Sequence, residues 1–453
     1  MGSLFGSLAS AAQSMRAIER AMSVVQNNVA NSSTPGYARQ TQVILANRFN
    51  PAQGLPGGIT AGETLSTRNS FAEEAVRKHQ GSLGNSSQKA SDLVQVEQVF
   101  TVADGAGING ALGDLFNSFS RLTVSPNDSS SRQVVLDRAH SLATAINSAS
   151  VNLGSSSTSL DIQAKSAVDH INRLAGQIVD LNKEFRGDIN VTHDAGLESQ
   201  LNSTLEELSK VANFTAIHQQ DGSVSIYLGG QTPLVLGTTQ HLISAGFLGA
   251  DIQINSSDGV DIANQITGGQ LSGLLEEKNS IFPSYSNDLN LLASSIADRV
   301  NTILKSGLDQ AGAGPTLDLF TYNAVQGAAS TLKTTNMTPA QLAASLPGAA
   351  GGNGNALNLS ALSASKEING FSFSEYYGNL ASKVGRELSN AQGGKQTQQQ
   401  LVNQSNSIRE QISGVNLNDE AVHLAELQRG YQAAAKMLTV LNDMTTTVIG
   451  MIR

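Results

Sequence analysis

Apolar residues near the start of the chain recur at alternating steps of four and three: Leu4, Leu8, Ala11, Met15, Ile18, Met22, Val25 and Val29. That spacing is a heptad seam, the stripe along which one helix packs against another. The end of the chain repeats the device, with Leu424, Leu427, Tyr431, Ala434, Leu438, Leu441, Thr445, Val448 and Ile452 stepping by three and four. Each stripe is too narrow to be hidden by its own helix and needs a partner of the same kind. The pattern predicts that the two ends pair as a coiled-coil rod. A helix over 4–29 spans roughly 40 Å at about 1.5 Å per residue, and one from 417 onward is of similar length. Pairing of the termini makes everything between them an insertion carried on the rod, a nested rather than a serial architecture.

Inside the insertion, residues 87–102, 110–122, 131–153, 160–185, 196–211 and 289–303 carry helical apolar spacing. Residues 211–254 read differently. Val224, Ile226 and Leu228 alternate after the Asp221-Gly222 turn, and Gly229-Gly230 and Pro233 punctuate the next short run, which predicts strands. The tract PGAAGGNGNALN lies within 310–370, a stretch too poor in large apolar groups to hold a core alone. Helical spacing resumes at Phe373, loosens at GGKQTQQQ and continues towards Ile412. The expected fold is mainly α with a small β domain. Residues 1–50 with 414–453 form the terminal coiled coil. Residues 51–210 with 268–309 and 371–413 form a helical body, 211–267 a small β domain, and 310–370 a Gly/Ala-rich loop excursion.

Composition narrows the function. The 453 residues, 40% of them hydrophobic, suffice for about three domains with real cores. The longest apolar runs fall far short of the ~18 residues of a membrane span, and no cleavable secretory signal opens the chain, so membrane insertion is not expected. A net charge of −9 without a basic cluster argues against nucleic acid. Cysteine is absent, which removes disulfides, thiolate nucleophiles and thiolate metal sites together.

Local chemistry is sparse. GAGING, residues 105–110, has the Gly-x-Gly-x-x-Gly form, but helical spacing precedes it and no βαβ frame surrounds it, so it reads as a loop joining two helices. Glu420 and His423 form one Glu-x-x-His pair where a di-iron bundle needs two pairs and two further glutamates, and they read as a solvated charged flank. The seven histidines are scattered outside any nucleophile-activating motif. No catalytic, cofactor-binding or metal-ligating residue is predicted.

The most definite punctuation is NNVANSSTPGYARQ, residues 27–40. Residues 31–34 can satisfy the open polar groups of a helix end, and Pro35-Gly36 turns the chain out of the rod. This stretch resembles the N-terminal signature of the axial proteins of the bacterial flagellum. Its extension STPGYARQ is similar to that of the hook-associated protein 1 family, the first hook–filament junction proteins. ISGVNLNDEAVHLAELQRGYQAAAKML, residues 412–438, is similar to the C-terminal motif of that family, and segments from Ser125 and from Gly268 resemble its helical parts.

The resemblance implies a structural adaptor in a tubular assembly of copies of itself, with flagellar hook protein beneath and the second junction protein above. It implies secretion through the flagellar type III apparatus to the hook–filament junction, with an export chaperone on the C-terminal helix. It makes the two seams the assembly interface, and Asn31, Thr34, Pro35, Gly36, Tyr37 and Arg39 the signature corner that sets the radial geometry. The chain is short for that family, so 310–370 becomes the remnant of an outer domain. The rival readings are another axial protein, such as hook protein or the second junction protein, and a secreted enzyme or effector using the same export route.

Overall fold

The computed structural model describes residues 2–101, 107–187 and 194–452. The seam residues at the start lie on α1 (Gly2–Ala30). After α1 the chain doubles back as β1 (Gln40–Ala46), β2 (Phe49–Asn50), β3 (Leu55–Pro56) and β4 (Ile59–Ser66), with β1 antiparallel to β4. These strands were not expected from the sequence, and β3 and β4 occupy positions expected in the body. They run along α1. Asn28 bonds Gln40 near one end of the helix, and near the other Ser10 Oγ donates to Gly57 O at 2.5 Å and Ser14 Oγ accepts from Ile59 N. Gly58 fits there because its φ is +98° and a Cβ would come within 2.3 Å of Ser10 Oγ.

The body begins with α2 (Ser70–Val99), started by Asn69, whose Oδ1 accepts from Ala72 N. It continues through α3 (Gly107–Val124), α4 (Ser129–Gly187) and α5 (Ala195–Val211). The GAGING stretch begins outside the described residues, and its last four residues form the first turn of α3. The separate helices expected over 131–153 and 160–185 are one 59-residue helix, α4. It passes unbroken through the serine-rich stretch 154–159 because Leu153 and Leu160, on either side, are buried in the same core. Likewise GGKQTQQQ does not loosen the later helix, which runs unbroken over Phe373–Ser413.

The small β insert holds an antiparallel sheet of β5 (Phe214–His218), β6 (Val224–Leu228), β7 (Thr232–Leu236) and β8 (Thr239–Gln240), followed by the hairpin of β9 (Ser244–Leu248) and β10 (Asp251–Asn255). It shares the core of the body: Val224, Ile226, Leu228, Ile252 and Ile254 join the helical cluster. Asn182, fully buried on α4, bonds Val224 N and O and Gly237 O, and so carries the ladder's polar groups across to the helix.

After α6 (Gly269–Glu276), a π turn over 277–281 and α7 (Phe282–Lys305), the 310–370 stretch is largely irregular. It holds β11 (Phe320–Thr321), α8 (Ala328–Thr331), β12 (Lys333–Thr334) and α9 (Gly354–Ala361). Leu319, Phe320, Leu342 and Leu359 are buried in the body's core. Arg132 donates to Pro339 O and Leu342 O, and Asn301 bonds Leu319 and Phe320, so side chains of the helices replace the missing ladder. Finally α10 (Phe373–Ser413), opened by a Ser372/Glu375 capping box, packs along α2, and α11 (Leu417–Ile452) returns along α1. The rod has its own small core of Ile18, Ala21, Val25 and Leu427.

Candidate functional site

The rod, made of α1, the β1–β4 hairpin and α11, joins the body through two covalent connections, 67–69 and 414–416. The corner over 31–39 is a third bridge, and it is not covalent. Pro35-Gly36 does not turn the chain out of the rod: it sends it back along α1, and the exit comes later, after β4. At the helix end Asn31 Nδ2 donates to Asn27 O at 3.0 Å, Ser32 Oγ donates to Val29 O, and Thr34 Oγ1 donates to Asn31 Oδ1.

The tip of the corner rests on the body. Ser199 Oγ on α5 donates to Pro35 O at 3.0 Å and Arg68 Nη2 donates to Gly36 O at 2.6 Å. Gly36 has φ +74°, and a Cβ there would lie 2.9 Å from Ser199 O, so both the backbone conformation and the close approach require glycine. Arg68 also pairs with Glu73 at 2.6 Å, and Arg409 on α10 with Glu206 at 2.9 Å and Glu73 at 3.3 Å. An ion cluster thus underlies the corner.

On the rod side lies a polar knot. Asn28 is buried, its Oδ1 accepting from Tyr37 Oη at 2.8 Å and from Gln40 N at 2.9 Å, its Nδ2 donating to Gln40 O and to Glu420 Oε2. Arg39 Nε donates to Glu420 Oε1 at 2.6 Å. Burial, and then the Glu420 charge, push the Tyr37 phenol up to about 12, so it stays a donor. The reading of Glu420 as a solvated flank is therefore corrected: it is fully buried, in the first turn of α11, where a carboxylate also faces the helix dipole favourably. Below the knot Arg39 N donates to Ser413 O, Thr67 N to Arg39 O, and Ser413 Oγ to Thr67 O, which stitches the corner to both covalent connections.

Of the seam positions, Ala11, Ile18, Val25, Leu427 and Thr445 are buried and Leu4, Leu8, Met15, Met22, Leu424, Tyr431, Ala434, Leu438 and Leu441 half-buried; Val29 and Val448 are exposed. The side chain of Ile452 lies outside the described residues. One position behind the seam, Met437, Val440, Met444 and Met451 are 61%, 52%, 52% and 79% exposed. Sequence reading missed Asn28, Gln40, Arg68, Glu73, Glu206 and Arg409, whose only sequence signal is proximity of the first two to the corner. Among the described residues no group of three or more His, Cys, Asp or Glu is arranged to hold a metal, and no helix is long and apolar enough to cross a membrane.

Residues 93–320, half of the chain, match the family described as flagellar hook-associated protein FlgK helical domain. The chain belongs to this family. Residues 396–451 match the C-terminal family of the flagellar basal body rod FlgEFG proteins. Flagellar hook-associated protein 1 of Bacillus subtilis is 26% identical over 502 aligned positions, covering 99% of this chain and 98% of that one. Its Escherichia coli counterpart is 22% identical over 96% of this chain and 97% of its own. The solved structure of the flagellar hook junction protein FlgK from Burkholderia pseudomallei shares the fold, with a TM-score of 0.65 at 16% identity over 75% of this chain and all of that one. The FlgK family is one of structural flagellar proteins, and the chain is a component of the flagellum.

Proposed function

We propose that this chain is the adaptor between hook and filament. Copies of it form a tubular layer through their terminal helices, with hook protein on one side and the second junction protein on the other. It catalyses no reaction. It leaves the cell through the flagellar type III apparatus, with an export chaperone covering α11 beforehand. The corner and its knot hold each rod at a set angle to its body, and so fix the radius of the tube. The helical-domain match over 93–320 favours the junction protein over other axial proteins, with which the C-terminal match is shared.

One observation carries the assembly role: the apolar stripe of Met437, Val440, Met444 and Met451 stays open after α11 has paired with α1. A stripe of that length beside a heptad seam calls for further helices. The test is Met437→Asp with Met444→Asp. Both positions are exposed in the single chain, so its melting should be unchanged, whereas burial of unpaired carboxylates in an assembly costs several kcal/mol. Cells should export the variant to the medium and carry hooks without attached filaments. Filaments of normal length on variant cells would remove α11 from the assembly surface.

A further inference from the structure

Where α2, α4 and the π turn 277–281 meet, the body buries a carboxyl group that no cation balances. Glu277 is fully buried and neither of its side-chain oxygens has a hydrogen-bond donor. The nearby lysines are engaged elsewhere: Lys89 pairs with Glu276, and Lys278 with Asp161 at 2.8 Å and with Ser157 O. What lies against Glu277 is the carboxyl of Asp92 on α2. Asp92 is itself buried, and its oxygens already accept from Gln88 Nε2 at 2.5 Å and Gln163 Nε2 at 3.4 Å. The remaining ionisable neighbours do not help: Glu276 and Asp161 are acidic, and the Tyr285 hydroxyl on α7 donates its hydrogen bond to Glu387 on α10 at 2.5 Å.

Two ionised carboxylates in contact, away from water, repel each other, and both Glu277 oxygens are left without a donor. A single proton removes the repulsion and gives one of the Glu277 oxygens a partner. We propose that Asp92 and Glu277 form a proton-binding site, in which Glu277 is a neutral carboxylic acid at neutral pH and donates its hydrogen to Asp92. The body then folds with the uptake of one proton. The helices that meet here are those whose neighbours lead into and out of the β insert, so the proton holds that junction closed.

Burial first, and the Asp92 charge second, push the Glu277 carboxyl up to about 9, with Lys89 pulling weakly the other way. In the unfolded chain the same group titrates at its ordinary value, about 4.5. Between those two values the folded chain binds one proton more than the unfolded chain, so this group's contribution to stability is fully present below pH ~4.5 and is lost as pH rises to about 9.

The experiment compares denaturant unfolding of the full chain and of Glu277→Gln from pH 5 to pH 9. Glutamine keeps the shape, offers an amide hydrogen to Asp92 and does not titrate. The wild-type unfolding constant should rise relative to the variant's by about tenfold per pH unit, or about a thousandfold from pH 5 to pH 8. Parallel profiles would overturn the proposal. Infrared spectroscopy reads the proton without relying on the variant's stability: the wild type at pH 7 should show the carbonyl band of a buried protonated carboxyl group. Its absence would overturn the proposal even if Glu277→Gln did not fold. Stabilisation of the wild type, but not the variant, by added calcium or magnesium at pH 7 would put a cation where the proton is assigned, and would overturn it too.

Discussion

Glu420 and Arg39 stand 381 residues apart in the chain and meet at 2.6 Å, the carboxylate wholly buried and the guanidinium about one-third open to solvent. The contact fastens the start of α11 to the corner after α1, where the rod meets the body. Replacing Glu420 with Ala leaves Asn28 Nδ2 and Arg39 Nε without this partner. Loss of a buried charged acceptor costs about 2–3 kcal/mol, and here the cost falls on the neck rather than on the body. Limited proteolysis should cut the variant faster within 31–39 and 414–416 and leave the body as resistant as before. Equal cutting rates at the neck would mean that Glu420 holds nothing there.

Gly36 offers a local test of how the corner seats on the body. Gly36→Ala places a methyl group 2.9 Å from Ser199 O on a backbone with φ +74°. The left-handed conformation alone costs about 1–2 kcal/mol, and the corner must also lift from α5. Amide hydrogen exchange should rise through 31–39 and around Ser199. Unchanged protection would show that the corner does not depend on this close approach.

The rod should open before the body. Its own core is Ile18, Ala21, Val25 and Leu427, and each large side chain there contributes roughly 1.5–3 kcal/mol, whereas the body, the β insert and the 310–370 stretch share one continuous cluster. Native-state hydrogen exchange on the isolated chain should show α1 and α11 exchanging at lower denaturant than α2, α4 and α7. Simultaneous loss of protection would make the whole chain one cooperative unit.

Much of this was legible in the residues. Periodicity exposes the seams because a helix that packs along one side must repeat its apolar positions, and Leu8, Ile18, Leu427 and Leu438 do so plainly. Pro35-Gly36 announces the corner for the same local reason. The β1–β4 hairpin was not legible, because its exposed Ile44, Leu45 and Leu65 blur the alternation that marks a strand with one buried face. Continuity of α4 across 154–159 is decided by a core contributed by distant elements, which no local propensity contains.

The knot was hidden for another reason. A glutamate that will be buried against Asn28 and Arg39 looks in sequence like one that will be solvated, since its partners arrive from the other end of the chain. The same holds for Asn182. Its amide bonds Val224 in β6 and Gly237 in the turn after β7, and Asn182→Ala should cost about 1–3 kcal/mol by leaving those backbone groups buried without a partner. Thermal unfolding should register that loss, together with faster amide exchange at Val224; a variant with wild-type melting and exchange would show that water or the sheet itself replaces the amide.

The adaptor role is tested most directly by electron microscopy of flagella on cells that lack this chain. The account predicts complete hooks with no filament attached and flagellin shed into the medium, with filaments restored when the full chain is supplied. Normal filaments on hooks of cells lacking the chain would contradict it.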